Sequence, residues 1–121
     1  MCLSWEDLQR LNKEPLVTIA AHTAHHFNLK ALKSENAVTD EVQQGLDLFN
    51  GKLGMQPDFF AYPFGSDNEV SQREVNVLEK MSFSAAFLAY GGAVKNDYWK
   101  KRRFALPRMM LTEDFESRML K

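Results

Sequence analysis

The chain has 121 residues, 45% of them hydrophobic and 26% charged. That is room for one globular domain over residues 1–121 and little more, in a composition that excludes a disordered or fibrous protein. Fifteen basic residues face sixteen acidic ones, so no overall field draws the chain to nucleic acid or to an anionic membrane. The single cysteine, Cys2, excludes an internal disulfide, and no apolar run nears the ~20 residues that cross a bilayer.

In chain order, Ser4 is placed to cap a short helix carrying Trp5, Leu8 and Leu11. Asp7 stands at its third position, Leu3 and Leu8 form a staple, and Pro15 ends it. Leu16 to Ala21 is an almost wholly apolar run, the pattern of a strand buried on both faces. After a polar turn, residues 34–53 predict a helix with Val38, Val42, Leu46, Phe49 and Leu53 on one stripe, stopped by Gly54. Phe59 to Tyr62 predicts a strand closed by Pro63 and Gly65. Residues 69–81 predict a helix with Val70, Val77, Leu78 and Met81 on one side, and Ser84 to Ala89 a third strand. A polar loop follows over 91–103, then a short strand from Phe104 to Leu106, and Thr112 caps a closing helix through Leu120. Strands of the buried type alternating with helices predict parallel βα units in an α/β sheet or barrel.

In such a layout functional side chains gather where strands end. The segments there are His22-Thr23-Ala24-His25-His26, then Pro63-Phe64-Gly65-Ser66-Asp67, then Pro107-Arg108. All three histidines of the chain lie in the first. Neutral imidazole suits zinc and neighbouring transition metals, and a catalytic site takes about three protein ligands with one position open. His22 and His26, four apart, are the candidate pair, with His25 as the competing second ligand.

These residues resemble the polysaccharide deacetylase (chitooligosaccharide deacetylase-like) family. His22-Thr23-Ala24-His25-His26 matches its His-(Ser/Thr)-x-x-His motif. Phe60-Ala61-Tyr62-Pro63-Phe64-Gly65 resembles its next motif, and Phe104-Ala105-Leu106-Pro107-Arg108 its closing segment. The resemblance implies a distorted (β/α) barrel, a divalent metal (zinc, with cobalt or nickel as alternatives) and hydrolysis of acetyl groups from N-acetylated polysaccharide. It implies His22 and His26 as metal ligands, the Phe64 backbone N–H as an oxyanion donor, Thr23 as an orienting residue and Arg108 as a further polar group.

The family's opening Asp-Asp motif, source of a general base and a third ligand, has no match here, and Ala61 stands where the family has arginine. Asp67 and Asp97 are the substitutes that the sequence offers. The expectation is therefore a partial barrel missing its first strand or strands, with an open sheet edge that favours a homodimer. The alternative function is a catalytically inactive carbohydrate-binding or assembly module. Without a signal peptide the chain as given is expected in the cytoplasm, and outside it or at the cell surface if a longer native N-terminus exists. Lys95 to Arg103, mixed basic and aromatic, reads as a solvated loop and not as a nucleic-acid grip.

Overall fold

The computed structural model describes residues 2–66 and 69–109. Helix α1 spans Trp5–Leu11. Its N-terminus is closed by the anticipated box, with the Ser4 hydroxyl accepting from the Asp7 N–H at 3.0 Å and the Asp7 carboxylate accepting from the Ser4 N–H at 3.1 Å. Helix α2 spans Glu35–Leu53, and Gly54, at φ 70°, ends it in left-handed backbone. Val38, Val42, Leu46 and Phe49 are buried along one face, the stripe expected from their spacing. The Gln9 amide donates to the Lys52 carbonyl at 2.8 Å and sets α1 against the end of α2.

Strand β1 is Phe59–Ala61, helix α3 is Gln72–Lys80, strand β2 is Ala85–Gly91, and strand β3 is Leu106–Arg108. The strands run parallel in the order β1-β2-β3. Ala21 extends the sheet by one parallel bridge to Phe60, with Ala21 N–H donating to the Phe59 carbonyl at 2.9 Å and Ala61 N–H to the Ala21 carbonyl at 2.8 Å. Phe60, Tyr62, Ala86 and Leu88 are buried with Val38, Val42, Val77 and Leu78 in one apolar core, so α2 and α3 cover one face. Phe59 and Phe87, stacked edge-on at 6.1 Å, stay half-buried on the other. This is the parallel α/β arrangement of a partial barrel, helices outside.

Three expectations need correction. Residues 16–20 form no strand: Leu16 is 99% exposed, and only Ala21 reaches a neighbour. An apolar run becomes a strand only where hydrogen-bond partners flank it, and the described residues supply partners on one side alone. The final strand lies two residues later than expected, because the Phe104 carbonyl is taken by the Tyr62 hydroxyl at 2.8 Å and its ring is buried below the strand's start. The 91–103 loop contains a one-turn helix, α4, Tyr98–Lys101. The closing helix expected from Thr112 lies outside the described residues.

Candidate metal centre

The sheet delivers two segments to the same end. The chain leaves Ala21 into the histidine turn and leaves β1 into Tyr62-Pro63-Phe64. Across this gap the His22 Nδ1 stands 2.7 Å from the Ala61 carbonyl. A carbonyl can only accept, so Nδ1 carries the proton and the lone pair of His22 is on Nε2. Proteins orient a ligating imidazole by a bond of this kind, from the ring nitrogen that does not face the ion.

The turn that follows is held in an unusual backbone. Thr23 and His26 have φ of 70° and 59°, and Phe64 opposite has 54°. For a β-branched threonine this is a true outlier, and such residues carry strain of order 1–3 kcal/mol each, which the surroundings must impose. The Thr23 hydroxyl accepts from the His26 N–H at 3.0 Å, closing the turn. The result sets the His26 ring edge-on to His22, with centroids 4.9 Å apart at 68°, and edge-on to Phe64, also at 4.9 Å. Both histidines are exposed.

Two imidazoles on one zinc-like ion, each bonded at about 2.0–2.1 Å and roughly tetrahedral to one another, have centroids about 5 Å apart. The observed spacing and the free Nε2 of His22 therefore fit the metal that the fold family implies. The set is partial: among the described residues no group of three histidine, cysteine or carboxylate side chains could hold an ion. Asp67 lies outside the described residues. Asp97 pairs with Lys101 at 2.8 Å beside α4.

His25 is turned away from this pair. Its Nδ1 sits 2.8 Å from Glu41 and its ring stacks on Phe27 at 5.2 Å. Arg108 ends β3, three strands along from Ala21, and its Nε donates to the Leu88 carbonyl. No contact among the described residues joins it to the histidines. The Phe64 N–H makes no hydrogen bond to a described residue, and so remains an available donor at the mouth of the site. Gly65 next to it is required: a Cβ there would stand 2.9 Å from the Ala89 nitrogen and 3.2 Å from the Leu88 Cα.

The residues that support the site went unseen in the sequence. Glu41 is 4% exposed and sits among the apolar residues of the α2 stripe. A charge interrupting that stripe was its legible signal. Gly45, one turn on, lets α2 approach the turn, since a Cβ there would lie 3.0 Å from the Thr23 carbonyl carbon. On α3, Arg73 donates to the carbonyls of Leu29 and Leu32, both at 2.9 Å, and pairs with the fully buried Glu74 at 2.6 Å. Burial pushes the Glu74 carboxyl up, but bonds from the Ser71 hydroxyl and N–H and from Arg73 more than offset this and hold it below its ordinary value. The pair ties the segment after the histidine turn to α3. Ser71-x-x-Glu74 was a readable capping box.

Elsewhere, Arg102 lies over Tyr98 at 5.1 Å and Arg103 over Trp99 at 5.8 Å, so the basic and aromatic residues of the 95–103 segment stack on one another. No helix among the described residues is long and apolar enough to cross a membrane.

Comparison with known families matches residues 3–86 to the one described as Polysaccharide deacetylase. Among solved structures, the chain is similar to the Streptococcus pyogenes deacetylase PplD in complex with acetate, with TM-score 0.79, 16% identity, and coverage of 97% of this chain and 50% of that one. It is similar to IcaB from Ammonifex degensii, with TM-score 0.77, 20% identity, and coverage of 98% and 52%. A third is the BpsB deacetylase domain from Bordetella bronchiseptica, with TM-score 0.63, 11% identity, and coverage of 74% and 43%. The chain thus spans about half the length of the first two structures. Comparison with curated protein sequences gives no match.

Proposed function

This chain belongs to the polysaccharide deacetylase family, and from that premise we propose that it contributes to metal-dependent hydrolysis of acetyl groups on an N-acetylated polysaccharide. The observation that carries the reading is the closeness of the His22 and His26 rings, with centroids 4.9 Å apart. His22 offers Nε2 because its Nδ1–H is committed to Ala61, and Thr23 holds the turn that presents His26. When bound, the divalent cation, zinc first and cobalt or nickel as alternatives, supplies Lewis acidity and a nucleophilic water near neutral pH. Two histidines leave the remaining positions on such an ion open to further ligands.

The unbonded Phe64 N–H then supports the negative charge that develops on the acyl oxygen. The Phe64 ring, half exposed and edge-on to His26, fixes that ligand on its open side. Arg108, bonded to Leu88, takes no step here. Release of acetate from an N-acetylated glucosamine oligomer, abolished by a chelator, restored by zinc and lost in His22→Ala, is the expected result. Release that persists in both His22→Ala and His26→Ala refutes the assignment.

Among the described residues no group of three ligand-type side chains could hold a cation, and this favours one second reading, a carbohydrate-binding or assembly module that no longer cleaves. Its signature is saccharide binding unmoved by chelator, with no acetate released.

A further inference from the structure

Glu41 is a carboxylate inside an apolar stripe. It lies between Val38 and Val42 on the face of α2 that meets the sheet, and it is 4% exposed. A buried carboxylate needs close donors. Among the described residues Glu41 finds two, both from His25: the backbone N–H at 2.6 Å on one oxygen and the ring Nδ1 at 2.8 Å on the other. A two-point grip on one residue fixes its backbone direction and its ring together.

His25 stands inside the turn that runs from His22 to His26. One helical turn beyond Glu41, Gly45 brings α2 against the backbone of Thr23 and Ala24. The helix therefore holds the turn at two places, at Thr23–Ala24 and at His25, both within the stretch bounded by the left-handed residues Thr23 and His26. Backbone of that kind persists only where neighbours over-determine it, and His25 is where α2 supplies hydrogen bonds as well as contact.

We propose that Glu41 is a positioning residue for the two-histidine centre, a role that rests on the cation reading above. Its carboxylate holds the turn so that the rings of His22 and His26 already face one point before a divalent cation arrives. Glu41 touches neither ring of the pair; it acts through His25. This also accounts for the third histidine of the cluster, which serves as the handle that α2 grips and not as a ligand.

The test uses the full chain with Co²⁺ as the probe, in wild type, Glu41→Gln, Glu41→Ala, His25→Ala and His22→Ala. It has two readouts: the visible absorption of bound cobalt, and the cation-free Cα and Cβ chemical shifts of Thr23 and His26, which mark left-handed backbone. Far-UV melting confirms that each variant is folded. Glu41→Ala is expected to move both residues out of the left-handed shift range and to weaken cobalt binding by roughly tenfold or more, the usual scale for a support behind a ligand. Glu41→Gln keeps the volume and one acceptor oxygen, gives an intermediate loss, and decides the matter if the alanine variant does not fold. His25→Ala keeps the backbone bond to Glu41 and loses less than Glu41→Ala.

Wild-type shifts and wild-type cobalt affinity in both Glu41 variants overturn the proposal. So does loss of cobalt in His25→Ala as complete as in His22→Ala, which makes His25 a ligand. A wild-type chain that takes up no cobalt, while Glu41→Ala still dissolves the turn, defeats the cation reading and leaves the turn-holding role standing.

Discussion

Thr23, His26, Phe64 and Ser82 are the four non-glycine residues with positive φ among those described, and the first three are His26 of the imidazole pair and two of its neighbours. Ser82 is the informative exception. It follows Met81, the C-cap of α3, at the position where helices commonly take glycine, and lies away from the histidine turn. Ser82→Gly is therefore expected to stabilise the fold by about 0.5–1 kcal/mol, read as a higher urea midpoint; an unchanged or lower midpoint contradicts this. Gly45→Ala goes the other way. Helix propensity gains up to about 1 kcal/mol, but the new methyl meets the Thr23 backbone at 3.0 Å, and overpacking against main chain loses about 1–3 kcal/mol. A net loss of about 1 kcal/mol is expected in the same measurement, together with displaced Thr23 and His26 resonances. Little of this strain was visible in the sequence, because left-handed backbone is rare for Thr and Phe, and His raises its odds without fixing it. The cluster itself was visible, since three histidines within five residues need no fold to be noticed.

The helices were legible as elements because their ends are written in short-range chemistry. Ser4 with Asp7, Ser34 before α2 and Gly54 after it all act within one turn of the helix that they close. The strands were less so. The strands expected at 59–62 and 84–89 formed as 59–61 and 85–91, but Leu16 to Ala20 formed none, since pairing depends on a partner remote in sequence. Phe104 read as strand for its hydrophobicity, whereas its carbonyl serves as the acceptor for Tyr62. Tyr62→Phe should cost about 1–2 kcal/mol, the bond itself plus a buried carbonyl left unpaired, seen as a lower thermal midpoint. An unchanged midpoint would show that water replaces the hydroxyl.

The Arg73–Glu74 pair carries a pH dependence with a definite sign. The folded carboxyl lies below its ordinary 4.5. Its stabilisation is therefore full above that value and is lost as pH falls through the lower, folded value. Glu74→Gln leaves Arg73 facing carbonyls without its buried partner, and is expected to lose on the order of 3 kcal/mol at pH 7. The gap from wild type should narrow below pH about 4.5. A gap that stays constant down to pH about 3 contradicts the assignment.

At the scale of the whole molecule, the sheet is covered on one face by α2 and α3, and its edge beyond Ala21 carries Leu16 at 99% and Val17 at 37% exposure. Unpaired backbone beside apolar side chains invites another strand. For the chain in isolation we expect a homodimer through this edge, seen in light scattering as twice the monomer mass and returned to monomer by Val17→Lys. A stable monomer at high concentration contradicts it. The alternation of helix and strand made the α/β layout readable, because each buried strand and each amphipathic stripe implies a covering layer. The supporting shell of Glu41, Gly45 and Arg73 was not readable as such. Those residues act across distances of 16 to 44 positions in the chain, and only the folded backbone brings them to the turn.

The central claim is that His22 and His26 share one cation. Nitrogen-15 spectra of the histidine rings, recorded as Zn²⁺ is added to the full chain, test it most directly. The account predicts that ring nitrogens of His22 and His26 shift together and saturate at one equivalent, His22 through Nε2, while His25 keeps its Nδ1–H signature. Shifts at only one of the two rings, or at His25 in place of His26, would contradict it.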